Sequence, residues 1–175
     1  MDLDFDVVDL GDADHPAEGE TAPGFTRPLV GSAYWEDVAL STLARESGVA
    51  LVCHPMAGSF PATYVWNELR DRGLGDYDAS VVGLSISTPY ELGRFIADHD
   101  LADTDFRFYS DPANDVAEQY GIVNDLDGMA GVAEPRPAVF VLDETCTVQY
   151  AWAASEWPAF PDYDAIEAAL SDLSA

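Results

Sequence analysis

The sequence predicts an α/β fold, a three-layer sandwich in which helices flank a central mixed β-sheet. Three apolar runs lack the polar alternation of a half-exposed strand, so we expect them to form central strands that are covered on both faces. They lie at Val49–Cys53, residues 80–86 and Ala138–Leu142. Segments with helical periodicity lie between and after these runs, and this alternation favours a sheet with helices on both faces.

Helical periodicity occurs in four segments, at residues 63–72, 87–96, 114–120 and 163–173. In the second, Thr88 and Pro89 provide a hydroxyl cap and a proline that suits the first turn of a helix. Edge strands are predicted at residues 5–10 and 147–152, the second after a turn at residues 144–146. We therefore divide the chain into an N-terminal strand and acidic loop at residues 1–24 and a single α/β domain at residues 25–175.

The charge balance is strongly acidic. The chain has 33 acidic residues against 7 basic ones, which gives a formal net charge of −26. One interpretation is a specialised surface for a basic partner or for metal ions. The other is adaptation of the whole surface to a very salty cytosol, where self-repulsion is screened over roughly 3 Å at 1 M salt. The acids are spread along the chain, which favours the second interpretation, and the few arginines form no basic patch for nucleic acid.

Other composition signals exclude several classes of protein. The two cysteines, Cys53 and Cys146, are far apart in sequence and form neither a disulfide framework nor a C-x-x-C pair. The three histidines are isolated, so neither a zinc site nor another cofactor is expected. No apolar run approaches the roughly 18–20 residues of a membrane helix, and the acidic N-terminus is unlike a secretory signal. We therefore expect a cytoplasmic protein that does not bind membranes.

Five segments, taken in order along the chain, resemble the peroxiredoxin (alkyl hydroperoxide reductase C / thiol-specific antioxidant) family. They lie at residues 22–26, 38–43, 83–90, 110–121 and 139–143. The resemblance covers about residues 22–173 and implies a thioredoxin-like redoxin domain of the peroxiredoxin type. It also implies thiol-dependent reduction of hydroperoxides, an antioxidant role, and a strand at residues 38–43 that leads into the first central strand.

The segment His54-Pro-Met-Ala-Gly-Ser-Phe-Pro-Ala-Thr63 resembles the family's active-site motif, P-x-x-x-T/S-x-x-C. Pro55 matches the proline, and Ser59 matches the hydroxyl residue. Ala62 stands in the place of the peroxidatic cysteine, and Thr63 matches a threonine that often follows it. His54 occupies a position where the family often has an aromatic residue that approaches the active site.

The substitution at residue 62 removes the group on which the family's reaction depends. A peroxidatic cysteine attacks the O–O bond as a thiolate, which a helix N-terminus and a nearby arginine stabilise. The methyl group of Ala62 cannot do this. The family's arginine lies six residues before the hairpin aspartate, and here that position is Pro137. Whether the neighbouring Arg136 reaches the pocket is left open.

Cys53 is the candidate for a substitute nucleophile, because it ends the strand just before the motif. The alternative is a small buried hydrophobic residue that closes a central strand. Strand alternation places Cys53 and His54 on opposite faces, so we expect at most one of them, His54, to line the pocket. Cys146 lies where the hairpin turn usually has a glycine, far from the motif, which disfavours a role as resolving thiol.

Two functions remain open at this stage. The first is a peroxiredoxin-like redoxin that acts in thiol-redox chemistry through Cys53, with a thiol reductant as its partner. The second is a non-catalytic thioredoxin-fold module that binds a ligand or a protein partner. The family also includes dimers, so a homodimer is a further expectation. An aromatic cluster after the last strand either forms such an interface or packs the last helix; it comprises Trp152, Trp157, Phe160 and Tyr163.

Overall fold

A seven-stranded mixed sheet forms the centre of the computed structural model, which describes residues 6–124 and 129–174. The strands are β1 (Val8–Asp9), β2 (Thr26–Val30), β3 (Trp35–Ala39), β4 (Val49–Cys53), β5 (Ser80–Ser85), β6 (Arg107–Ser110), β7 (Val123–Asn124), β8 (Glu134–Pro135), β9 (Ala138–Leu142), β10 (Val148–Ala153) and β11 (Glu156–Trp157). The order in the central sheet is β10-β9-β4-β5-β6-β2-β3. Strands β4, β5 and β6 run parallel, and the other pairs in this sheet are antiparallel.

Helices cover both faces of this sheet. They are α1 (Leu40–Ser47), α2 (Phe60–Asp71), α3 (Pro89–Asp98), α4 (Asp115–Gln119) and α5 (Tyr163–Leu173). Helices α2, α3 and α5 bury their apolar side chains in one core, and α1 and α4 bury theirs in a second core on the opposite face. The predicted three-layer α/β sandwich is therefore confirmed. Because β4 is central, all five of its residues are buried.

Helix α2 begins three residues earlier than the sequence pattern predicts. Ser59 occupies the position before the first turn with extended backbone angles, and Pro61 fits within that turn because its N–H would have no helical acceptor there. Ala62 is therefore in the first turn of α2. The predicted cap of α3 is confirmed: Thr88 accepts from the N–H of Glu91, whose side chain accepts in return from the N–H of Thr88.

Two expectations about the first half of the chain are wrong in part. The strand expected at residues 38–43 ends at Ala39, because Leu40, Leu43 and Ala44 have helical spacing and bury one face of α1. The edge strand expected at residues 5–10 is reduced to β1, which pairs with β11 in a separate two-stranded sheet. The first residue of that expectation, Phe5, lies outside the described residues.

The turn between β9 and β10 has the geometry that the sequence predicts. Cys146 has a φ of 61°, a left-handed conformation that favours glycine. Asp143 stabilises the turn by accepting hydrogen bonds from the N–H groups of Thr145 and Thr147, at 2.9 and 3.0 Å. These bonds help to hold the pKa of Asp143 below its usual value, against the opposing effect of burial.

Candidate functional site

The loop that carries the motif at residues 54–63 lies at the carboxyl edge of the parallel strands, between β4 and α2. In open α/β sheets this edge is where ligands usually bind. Neighbouring elements hold the loop through its backbone. The N–H of Met56 donates to Oε2 of Glu134 at 2.6 Å, and the N–H of Ala57 donates to Oγ of Ser87 at 2.8 Å.

His54 is buried beneath this loop, with 1% of its surface exposed. Its Nδ1 lies 2.7 Å from the carbonyl oxygen of Pro55, so Nδ1 carries the proton and donates. Its ring packs edge-on against Trp66 and Phe108, and Nε2 has no hydrogen-bond partner among the described residues. Burial lowers the pKa of His54 to about 4, so the imidazole is neutral at neutral pH.

The motif positions at the start of α2 provide no thiol. Ala62 is fully buried and presents a methyl group. Ser59 makes no side-chain cap, and its hydroxyl is buried without a hydrogen-bond partner in the described part of the chain. Thr63 continues the helix, donating its N–H to the carbonyl oxygen of Ser59 at 3.0 Å.

Arg136 donates hydrogen bonds to backbone carbonyl groups. It is 6% exposed, and its Nη1 donates to the carbonyl oxygens of Gly11 and Ala154, each at 2.9 Å. The guanidinium therefore connects the N-terminal segment to the end of β10. Arg136 does not border the small recess that lies beside the motif loop.

A small apolar recess of about 10 Å³ lies beside the motif loop, with room for about one water molecule. It brings together four of the site residues singled out from the sequence: Cys53, His54, Pro55 and Pro137. The other four do not border it: Ser59, Ala62, Thr63 and Arg136. Cys53 and His54 both border the recess, but the Cys53 side chain belongs to the apolar core on the α1 and α4 face, whereas the His54 ring packs against Trp66 and Phe108 of the other core.

A family model decides how this architecture is to be classified. The model of the AhpC/TSA family matches residues 19–151, which is most of the chain. The chain belongs to the AhpC/TSA family. No curated protein matches it in sequence.

Solved structures of peroxiredoxins share the fold of this AhpC/TSA family protein. Peroxidoxin BcpB from Mycobacterium tuberculosis is 24% identical with a TM-score of 0.71, over 91% of this chain and 97% of that chain. The thiol peroxidase from Chromobacterium violaceum is 22% identical with a TM-score of 0.74, over 97% and 93%. Enterococcus faecalis AhpC is 10% identical with a TM-score of 0.75, over 91% and 93%. The predicted thioredoxin-like, peroxiredoxin-type fold is therefore confirmed.

The surroundings of Cys53 in this AhpC/TSA family protein are those of a core residue. Its side chain is 2% exposed and belongs to the apolar core on the α1 and α4 face, with Leu51 and Tyr120. Burial raises the pKa of the Cys53 thiol well above its usual value. Because the thiolate is the reactive form, these surroundings disfavour nucleophilic attack.

Cys146 is too far from Cys53 to form a disulfide with it. Residues Val49 and Cys53 of β4 face Leu142 and Ala138 of β9, respectively. Cys146 lies in the turn after Leu142, beyond the Val49 end of β4, whereas Cys53 is the last residue at the other end. The length of strand between these two ends corresponds to roughly 13 Å at about 3.3 Å per residue. A disulfide needs Cα atoms within about 7 Å. Burial and the charge of Asp143 also raise the pKa of Cys146.

Sequence reasoning missed Glu134, which lies at the motif loop. It is 1% exposed, and its carboxylate accepts from Met56, a residue 78 positions earlier. The sequence gives one weak signal: two charged residues, Glu134 and Arg136, stand close together just before a central strand. Buried serines at the ends of β5 and β6 also support the loop: the hydroxyl of Ser110 donates to the carbonyl oxygen of Ser87 at 2.6 Å.

Within the described ranges, no group of three or more His, Cys, Asp or Glu side chains could hold a metal ion. In the same residues, no helix combines the length and the apolar character that crossing a bilayer requires.

Proposed function

We propose that this AhpC/TSA family protein is a non-catalytic binding module with the fold of the thiol peroxidases, and that it does not reduce hydroperoxides through residue 62. The observation that carries the proposal is the burial of Ala62 in the first turn of α2, at the position where the family motif has its peroxidatic cysteine. A methyl group there supplies neither a nucleophile nor a charge.

The other groups near the motif support the same conclusion. Peroxide reduction needs a thiolate and a cation or other donor that stabilises the leaving oxygen. The Cys53 thiol is protonated in its apolar core, and His54 is neutral. Arg136 donates to backbone carbonyls of the N-terminal segment and of the β10 end. The residues that in this family would perform the reaction are thus absent or occupied with structural contacts.

Exposed aromatic side chains beside the recess support a binding role. The rings of Phe60 and Tyr64 in α2 lie 5.4 Å apart, and both lie about 6 Å from the ring of Phe160. These three side chains are 40%, 63% and 39% exposed, respectively. By contrast, Trp152 and Tyr163 pack against the core on the α2 face, so the packing interpretation holds for these two residues and the binding role is proposed for the exposed rings alone.

The first experiment measures the consumption of hydrogen peroxide by the purified protein in high-salt buffer with a dithiol reductant. We expect a rate equal to that of the variant that combines Cys53→Ser with Cys146→Ser and has no thiol. The expectation follows from the absence of an accessible thiolate. Turnover by the parent protein that exceeds the rate of the thiol-free variant contradicts the proposal.

A second candidate function, thiol-redox chemistry through Cys53, is favoured by one observation: Cys53 borders the same recess as His54 and Pro137. It predicts that Cys53→Ser alone abolishes peroxide turnover. It also predicts that native Cys53 reacts with iodoacetamide at least as fast as free cysteine. Under our proposal alkylation of Cys53 is slower than that of free cysteine and becomes comparable only after unfolding.

The setting of the protein completes the proposal. The acidic composition favours a salty cytosol, where a net charge of −26 is screened.

A thiol reductant, a protein partner and a homodimer are the partners that the family suggests. Sedimentation in high salt, compared with a variant in which Phe60, Tyr64 and Phe160 are changed to serine, tests whether the aromatic side chains hold two copies together.

A further inference from the structure

A second candidate site lies at the opposite edge of the sheet from the motif loop. A cleft of about 390 Å³ opens at the amino ends of β5 and β6, between the β2–β3 turn and the segment that leads into β5. Its volume is within the range of about 300–1,000 Å³ that is typical of small-molecule sites. The cleft shares no lining residue with the recess beside His54, so a ligand here is independent of the proposed function.

The half-buried side chain of Arg107 lines this cleft, and its stem lies beside the backbone of Gly31. The guanidinium of Arg107 makes no hydrogen bond and no ion pair with any of the described residues. In this it differs from most arginines of the chain. Four of them pair with carboxylates, with closest distances between 2.8 and 3.5 Å: Arg27, Arg70, Arg72 and Arg94. A fifth, Arg136, binds carbonyl oxygens.

Carboxylates line the same cleft without pairing with Arg107. Glu36, Asp78 and Asp105 are exposed cleft residues, and none of them places a carboxylate oxygen within 4.0 Å of its guanidinium. Opposite charges therefore face one cavity at a separation too large for a direct ion pair. A ligand that carries both charges on neighbouring atoms complements such a cavity better than a simple anion, which the three carboxylates would repel.

We propose that this cleft binds a small zwitterion, namely an α-amino acid with an apolar side chain. The ligand carboxylate accepts from the planar fork of Arg107, which matches carboxylate geometry. The ligand ammonium faces the carboxylates of the rim. The apolar side chain contacts the rings of Tyr34 and Tyr77, which line the cleft and are not buried.

Isothermal titration calorimetry with three matched compounds tests the charge requirement. L-Phenylalanine carries both charges, 3-phenylpropanoate lacks the ammonium, and 2-phenylethylamine lacks the carboxylate. We expect L-phenylalanine to bind and each of the other two to bind at least tenfold more weakly, because each loses one charge-assisted contact. Equal binding of either truncated compound, or no binding of L-phenylalanine and L-leucine at millimolar concentration, overturns the proposal.

A pair of matched variants tests whether Arg107 holds the ligand. Arg107→Gln is expected to weaken L-phenylalanine binding at least tenfold. Arg45→Gln removes a cation that also lacks a partner among the described residues but is exposed on α1, so binding should be unchanged. Because the Arg107 guanidinium makes no hydrogen bond or ion pair that Gln would break, both variants should fold, and circular dichroism checks this. Unchanged binding in Arg107→Gln, or equal loss in both variants, overturns the assignment.

Discussion

Nε2 of His54 packs directly over Gly83 of β5, at 2.9 Å from the point that a Cβ on this glycine would occupy. Ring atoms of Trp66 and Phe108 lie 2.8 and 2.6 Å, respectively, from the same Cβ position. No Cβ tolerates contacts this short, so the absence of a side chain at residue 83 lets the three rings pack against the sheet. The position of His54 beneath the motif loop therefore depends on a glycine 29 positions later in the sequence.

Gly83→Ala is expected to destabilise the protein by about 1–3 kcal/mol, because the added methyl group overpacks the rings of His54, Trp66 and Phe108. Urea unfolding in high salt measures the change. Gly93→Ala is the matched control, since residue 93 lies within α3 and nothing would lie within 4 Å of its new Cβ. That control should gain about 0.5–1 kcal/mol from helix propensity. Equal effects of the two substitutions would contradict the packing described for residue 83.

The buried imidazole of His54 makes stability depend on pH. Its pKa is lowered from 6.5 to about 4 by burial, so the unfolded chain binds a proton at this residue at a higher pH than the folded chain does. Stability from this group is complete above pH 6.5 and is lost as the pH falls from 6.5 towards 4. The loss amounts to about 3 kcal/mol at about 1.4 kcal/mol per pKa unit.

The measurement is the free energy of unfolding at several pH values between 7 and 4, in the parent protein and in His54→Phe. The variant keeps an aromatic ring but cannot titrate. Its free energy of unfolding should therefore fall by about 3 kcal/mol less than that of the parent protein over this range. If His54→Phe follows the parent curve, His54 is not the titrating group.

The carboxylate of Glu134 connects the short β7–β8 ribbon to the motif loop through the N–H of Met56, at 2.6 Å. Glu134→Ala leaves this N–H without its acceptor, and we expect a loss of about 1–3 kcal/mol in the free energy of unfolding. Glu134→Gln retains a carbonyl acceptor and should lose less. The two variants are compared by urea unfolding at neutral pH, and a Gln variant as unstable as the Ala variant would show that the charge, not the acceptor, is needed.

Elements with strong local signals could be predicted from the sequence. The predicted central strands Val49–Cys53 and Ala138–Leu142 contain only buried residues. The last helix begins at Tyr163 and ends at Leu173, as predicted. The cap at Thr88 was predictable because its partners are three residues apart. Helix α1 was missed because it has only eight residues and follows β3 without an intervening loop.

Contacts between distant segments could not be predicted. The destination of the Arg136 guanidinium depends on Gly11, which is 125 positions away, and nothing in the local pattern marks that carbonyl as its acceptor. The hydrogen bond from the N–H of Met56 to Glu134 spans 78 positions and is likewise not marked by the local pattern. The likeness of the motif located Ala62 through its spacing, but the burial and protonation of Cys53 depend on residues of α1 and α4 that pack against it.

Restoring the family's residue at position 62 tests what else the site lacks. In Ala62→Cys we expect a thiol in the first turn of α2 that reacts with hydrogen peroxide no faster than free cysteine. The helix N-terminus alone gives a thiolate modest stabilisation, and Arg136 is held by the carbonyl oxygens of Gly11 and Ala154. Mass spectrometry of the oxidised residue 62 gives the rate for that thiol separately from Cys53 and Cys146.

The combination of Ala62→Cys with Pro137→Arg adds a cation at the position where the family has its arginine. We expect this double variant to oxidise at residue 62 faster than Ala62→Cys, because a nearby guanidinium lowers the pKa of the thiol and stabilises the leaving oxygen. Ala57→Cys, a thiol in the motif loop before α2 begins, is the control for simple accessibility. Fast oxidation in Ala62→Cys alone would mean that the existing pocket already activates a thiol, and that residue 62 is its one departure from a working peroxidase site.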